Sequence, residues 1–354
     1  MRNKLKIVLV AFLDLALLAG LLLLFAWFHH ARPQRFNGSV INTPDPFAHT
    51  DVTRAPATET PTAAPTGTPL PPNVTPTPTP EPTPEPTPEP SGLLGGRFWE
   101  KFTDGEAIWE GNTYRSQNVC VELTEHDITV KNKPVHYFVA DIYIRDITSL
   151  RCEFPTVDGG KRVLDLAKDN GAIVATSGDY FLHRSRGVVI RNGVLYREKL
   201  HSSQDICVLY RDGTMETYLK GKFNLNDILA RSPYQAWSFG PRLLENGLPM
   251  TEFNTTVEER NPRCAIGYYE PGHYCLVVVD GRQEGYSMGL EMADLSMLMY
   301  ELGCTEAYNL DGGSTSVMVY HDKLISKPPY GGGGRYDCDV ILIAEPVERS
   351  DNEE

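Results

Sequence analysis

Nine histidines are scattered through 354 residues, and none of the seven cysteines (Cys120, Cys152, Cys207, Cys264, Cys275, Cys304, Cys338) stands in C-x-x-C spacing to another. Structural zinc sites and thioredoxin-type redox motifs are recognised by such spacing, so neither is suggested. The shortage of histidine clusters disfavours a metal-dependent phosphodiesterase that cuts a P–O bond. A basic excess is missing as well. The formal net charge is −13, and from Arg97 onward 27 Lys and Arg stand against 39 Asp and Glu. A protein that binds a phosphate backbone needs a cationic face to release counterions, so nucleic acid is not an expected partner. No internal repeat is visible, and only one segment carries sustained helical periodicity.

What the chain does have is sharply divided along its length. Residues 7–28 are apolar except for Asp14, and 22 residues at ~1.5 Å each span about 33 Å, enough to cross a bilayer. Arg2, Lys4 and Lys6 precede this run, which predicts a single-pass signal-anchor over residues 1–31, with the N-terminus cytoplasmic and the rest of the chain extracellular. The bulky exit Phe25-Ala26-Trp27-Phe28 argues against a cleaved signal peptide. Asp14 would face a partner helix or be tolerated near mid-membrane. Seventeen of the 27 prolines then fall between Pro33 and Pro90. Proline alternating with Thr or Glu favours polyproline II, so residues 32–96 are expected to form a disordered, semi-rigid stalk. Residues 97–347 are long enough for one well-buried domain, and 348–354 form an acidic tail.

The domain is expected to be α+β, with mixed sheets flanked by few helices. Strand-like runs occur at 135–144, 171–176, 187–190, 206–210, 264–269, 274–279, 316–320 and 340–343. Asn192-Gly193 and Asp212-Gly213 lie between apolar runs and read as hairpin turns. Residues 163–169 read as a short helix, whereas 223–230 is too weakly patterned to assign. The clear helix is 290–302, where Leu290, Leu295, Leu298, Met299 and Leu302 share a face and Gly303 ends it. An outside location permits disulfides, but an odd cysteine count leaves at least one thiol unpaired within the chain.

Chemistry-bearing residues gather at turns. Asn309, Asp311 and Ser314 place an amide, a carboxylate and a hydroxyl around Gly312-Gly313, where two glycines allow backbone N–H groups to approach an anion. A plain strand-to-strand connection capped by Asp311 is the competing reading. Asp179, beside Gly178, sits where another strand runs out. Arg263, Arg282 and Arg335 each adjoin a glycine turn or strand end.

Tyr308-Asn309-Leu310-Asp311-Gly312-Gly313-Ser314-Thr315-Ser316 resembles the Asn-Leu-Asp-Gly-Gly-Gly-Ser-Ser signature of the phosphodiester glycosidase family, which includes the uncovering enzyme. Ser177-Gly178-Asp179-Tyr180-Phe181, Ser238-Phe239-Gly240-Pro241, Pro262-Arg263-Cys264-Ala265-Ile266-Gly267 and Asp280-Gly281-Arg282 resemble further family segments in the same order. Asp179, Cys264 and Thr315 depart from the usual residues. The resemblance spans about residues 135–345 and implies hydrolysis of a glycosyl-1-phosphodiester on a surface or exopolysaccharide glycan. On that reading a carboxylate serves the sugar carbon. Asp311 is the first choice, with Asp280, Glu291 and Asp179 as candidates for a second. Arg263, Arg282, Arg335 and the Gly312-Gly313 backbone would hold the phosphate, while Asn309 and Ser314 would bind sugar hydroxyls or phosphate oxygens. No cofactor is required, a divalent cation stays open, and so does the oligomeric state. The alternative is a non-catalytic glycan-binding module with Tyr268, Tyr269, Tyr286 and Tyr330 as an aromatic platform.

Overall fold

The computed structural model describes residues 15–22, 39–40, 92–155, 161–200, 203–253, 255–331, 333–337 and 339–346. Most of the expected anchor and stalk, and the acidic tail, lie outside these. Residues 15–22 are helical and exposed. Among the described residues no helix is long and apolar enough to cross a membrane.

Three sheets share one central core. The largest has seven strands, in the order Glu306–Asn309, Arg263–Glu270, His273–Val279, Lys133–Ile144, Val119–Val130, Thr113–Arg115 and Ile108–Glu110. A five-stranded sheet runs Lys323–Leu324, Met318–Tyr320, Val174–Ser177, Val340–Ile343, Leu150–Glu153. A six-stranded sheet runs Ser39–Val40, Val194–Arg197, Val189–Arg191, Pro233–Trp237, Ile206–Tyr210, Met215–Tyr218. Successive side chains in a strand point to opposite faces, and the two faces of each sheet sort accordingly. Tyr274, Leu276 and Val278 enter the shared core with Ile341 and Leu209. Cys275, Val277 and Val279 face the other way, under the helix Met292–Glu301. In the same manner Val340 and Leu342 pack under the helix Val163–Asp169, and Ile206, Val208 and Tyr210 under Leu225–Leu229. Both faces of these strands are buried, which is why they read as unbroken apolar runs. Burying each such side chain contributes roughly 1.5–3 kcal/mol.

The α+β reading and the helices at 163–169 and 290–302 agree with this architecture. The second helix is slightly shorter than its pattern, Met292–Glu301, and Gly303 follows at φ +85°. The weakly patterned 223–230 holds a short helix, Leu225–Leu229. Three expectations need correction. Val119–Val130 is a 12-residue strand that the sequence reading missed, because its second half is largely exposed and lacks regular alternation. The domain begins before Arg97: Leu93 and Leu94 are core residues, and the Leu93 amide donates to the Arg145 carbonyl at 2.9 Å. Finally, Ser39–Val40, inside the expected stalk, pairs as an edge strand with Val194 and Leu195.

Candidate active site

The 307–316 segment turns between two sheets. Asn309 ends an edge strand of the seven-stranded sheet, and Leu310 is buried and donates its amide to Cys264 at 2.8 Å. The Asp311 amide then crosses to the five-stranded sheet and donates to the Gly178 carbonyl at 2.9 Å. Ser177 Oγ lies 3.1 Å from the Asp311 carbonyl oxygen and 2.7 Å from that of Thr315. A Cβ on Gly312 would sit 3.0 Å from the Pro262 carbonyl oxygen, a tight approach that favours glycine there. Two strand ends and a glycine turn therefore hold Asp311 in a fixed place.

Asp311 lines a cleft with Asn309, Gly312, Gly313, Arg263 and Arg282. Phe239, Val257, Asn261 and Pro262 complete its apolar and amide walls. Among the described lining residues, Asp311 is the one carboxylate. Its Oδ2 accepts a bond from Arg335 Nη2 at 3.1 Å. Burial pushes its pKa up to about 6, and the Arg335 charge opposes that rise. Arg282 lies against Gly313 and anchors on Asn261 Oδ1 through Nη2 at 2.7 Å. Asn309 Nδ2 donates to the Gly240 carbonyl at 2.8 Å. Its Oδ1 is buried with no hydrogen-bond partner, an uncommon state that asks for a ligand donor.

Other candidates sit differently from the expectation. Asp280 is fully buried and accepts from Tyr286 Oη at 2.8 Å and from the Lys327 amide at 3.0 Å; it fixes a loop and does not line the cleft. Glu291 flanks the helix Met292–Glu301, 40% exposed, and pairs with Lys131 at 2.7 Å, also outside the cleft lining. Asp179 is close to Asp311, and its charge adds to the rise in the Asp311 pKa. Both of its oxygens are spent on backbone, though: Oδ1 accepts from the Tyr180 amide at 2.6 Å and Oδ2 from the Ser238 amide at 2.7 Å. The Gly313 amide donates to the Pro262 carbonyl at 3.0 Å and is not turned to the cleft as an anion donor. Ser314 does not line the cleft either; its carbonyl accepts from the Arg335 amide at 3.2 Å. Arg263 is buried and gives Nε to Leu290 and Nη2 to Glu258 and Glu259 carbonyls, so much of its donor capacity shapes the wall. Nor are the four tyrosines a platform. Tyr268 packs on the central core, while its neighbour Tyr269 packs on the opposite side of the sheet.

Two groups escaped the sequence reading. Arg184, whose charge favours the ionised form of Asp311, donates to the Ser238 carbonyl at 3.2 Å and stands over Phe239. Behind Asp179 lies a buried pair: Arg191 Nε donates to Asp339 Oδ2 at 2.5 Å, with both side chains fully buried. Asp339 Oδ1 in turn accepts the Asp179 amide at 2.5 Å. A Cβ on Gly178 would fall 2.4 Å from that oxygen, which explains why the turn needs glycine.

This arrangement, one carboxylate in a cleft rimmed by arginines on a glycine turn, sits in a domain whose residues 170–344 match the model of the phosphodiester glycosidase family. Over 261 residues the chain is 30% identical to the SPbeta prophage-derived uncharacterized protein YomE of Bacillus subtilis, covering 71% of this chain and 40% of that protein. It thus spans less than half of that relative's length. The zebrafish N-acetylglucosamine-1-phosphodiester alpha-N-acetylglucosaminidase catalytic domain, auto-inhibited by its pro-peptide, superposes with a TM-score of 0.53 at 21% identity. That match covers 68% of this chain and 88% of that one, a likeness of fold.

Proposed function

We propose that this protein hydrolyses a glycosyl-1-phosphodiester at the sugar carbon, on a phosphate-linked glycan outside the cell. The observation that carries the reading is the pairing of a single cleft carboxylate, Asp311, with Arg335, beside Arg282. Water adds to the anomeric carbon as its bond to the phosphodiester oxygen breaks. The products are a free sugar and a phosphate monoester. Asp311 in its ionised form stabilises the oxocarbenium-like carbon or takes the proton of the attacking water. The leaving oxygen belongs to a phosphate, a stable anion, so a second carboxylate as acid is not required. That agrees with a cleft in which Asp280 and Glu291 are committed elsewhere. Arg282 and Arg335 hold the phosphate by charge-assisted bonds, and Asn309 Oδ1 accepts from a sugar hydroxyl. An N-terminal anchor and a proline-rich spacer would place the domain beyond the membrane, where teichoic acids and phosphate-bridged capsules are available substrates.

The test is to incubate the purified full chain with UDP-N-acetylglucosamine in H₂¹⁸O. Free sugar carrying the label at its anomeric oxygen supports the reading; label on the phosphate means P–O cleavage and overturns it. The pH profile adds a second test. A carboxylate whose pKa is about 6 must be ionised to act, so kcat/KM is expected to rise as pH increases through about 6. Because Arg335 favours the ionised form, Arg335→Gln should move that limb to higher pH. An unmoved limb would separate Arg335 from Asp311.

A further inference from the structure

The strands that end at Asp311 have a second cleft at their other end. Val174–Ser177, Met318–Tyr320 and Val340–Ile343 lie side by side in the five-stranded sheet. Ser177 and Asp339 mark the end near Asp311. At the opposite end, Asn170 to Ile173 lead into the first strand, His321 and Asp322 turn out of the second, and Ala344 and Glu345 follow the third. Four strand residues at ~3.3 Å each separate the two ends by about 13 Å. Together with Trp109, Tyr114 and Arg151, these residues line an open cleft.

Its floor is aromatic and braced. Trp109 stands on the edge strand Ile108–Glu110, 36% exposed. Its indole stacks on the His321 ring at 3.9 Å and 11°, and meets Tyr114 and Tyr320 edge-on at 4.6 and 5.3 Å. A ring fixed on three sides offers its remaining surface to a ligand with little ordering cost. The rim is polar and of mixed sign. Arg151 Nε is buried without a hydrogen-bond partner. Asp322 is exposed on the turn, and Glu345 Oε1 accepts from Tyr114 Oη at 2.8 Å. One guanidinium against two carboxylates gives phosphate no net attraction. A neutral sugar fits each element: a C–H face for the indole, an acceptor oxygen for the Arg151 guanidinium, and hydroxyl donors for Asp322.

We propose that this cleft is a second carbohydrate site, holding an uncharged sugar unit of the glycan remote from the bond that is cleaved. The proposal rests on the functional reading above for the identity of the polymer, but its test does not depend on turnover. The full-length chain in detergent micelles is titrated calorimetrically with three neutral hexasaccharides, built of N-acetylglucosamine, glucose or galactose. The expected result is binding of at least one of them. That binding should weaken at least tenfold in Trp109→Ala and in Asp322→Asn, with release of sugar from UDP-N-acetylglucosamine unchanged in both variants. Asp322 has φ 61°, a conformation asparagine tolerates, so this second variant remains informative if Trp109→Ala fails to fold. Absence of binding to all three sugars, or binding unmoved by either substitution, would overturn the proposal. Sugar binding without hydrolysis of the nucleotide sugar would uphold this site while removing the phosphodiester reading of the other.

Discussion

Asp311→Asn is expected to lower kcat on a sugar phosphodiester by at least about 1,000-fold, the scale seen when a reacting side chain is removed from an active site. Asparagine keeps the shape and can still accept from Arg335, but it cannot ionise. The same substitution should make the domain more stable at neutral pH. Burial raises the Asp311 pKa to about 6 from an ordinary 3.8, so the folded state binds that proton more tightly than the unfolded chain. Stability then falls as pH rises from about 4 through about 6, and above this window the folded protein carries the full cost of a buried charge. Asparagine removes that cost, a gain on the order of 1–3 kcal/mol at pH 8 that shrinks towards pH 4. Denaturant titrations at both pH values, alongside rates of sugar release, read the two effects. A variant within tenfold of native activity takes Asp311 out of the mechanism. An inactive variant that is also destabilised at pH 8 would assign Asp311 to structure.

How much of this was legible in the sequence depends on whether the signal is local. Residues 340–343, 206–210 and 274–279 announce themselves as strands because both of their faces are buried. The strand Val119–Val130 does not, since Glu125, Asp127 and their neighbours face solvent in an extension beyond the core. In the site, Asn309, Asp311 and Gly312 are legible as one turn because they adjoin in the chain, and the cleft brings Arg263 and Arg282 to the same place. Adjacency to a strand end also made Asp280 a candidate, yet a carboxylate at a strand end serves as readily to hold a loop, and Tyr286 and Lys327 occupy it. Glu291 reads as a reactive carboxylate beside a helix start, and the fold turns it to Lys131.

The pair behind the site lies beyond any local pattern. Arg191 and Asp339 are separated by 148 positions, and each alone looks like a charge at a strand terminus. Arg191 belongs to the six-stranded sheet, while Asp339 leads into a strand of the five-stranded one. Their contact joins the two sheets at the turn that positions Asp311. Only the folded topology brings them together.

Arg191→Met is therefore expected to cost about 3–5 kcal/mol at pH 8, because it strands a buried carboxylate without its cation. Asp339 already has its pKa raised to about 6 by burial, with Arg191 holding it down. Removing Arg191 raises it further, so in the variant Asp339 takes up a proton at higher pH and becomes neutral. The stability loss should shrink as pH falls from 8 to 5. Asp339→Asn on the Arg191→Met background should recover much of the loss at pH 8. Asparagine still offers an oxygen to the Asp179 amide, which Asp339 Oδ1 holds at 2.5 Å, and it carries no charge to strand. The double variant also tests the link to the site. Gly178 donates its amide to the Asp339 carbonyl and accepts from the Asp311 amide, so a frame restored in stability should restore kcat as well. Denaturant titrations at pH 5 and 8 on the single and double variants measure the coupling. A single variant that loses less than about 1 kcal/mol, or a double variant no better than the single, would mean that this pair does not hold the two sheets at Asp311.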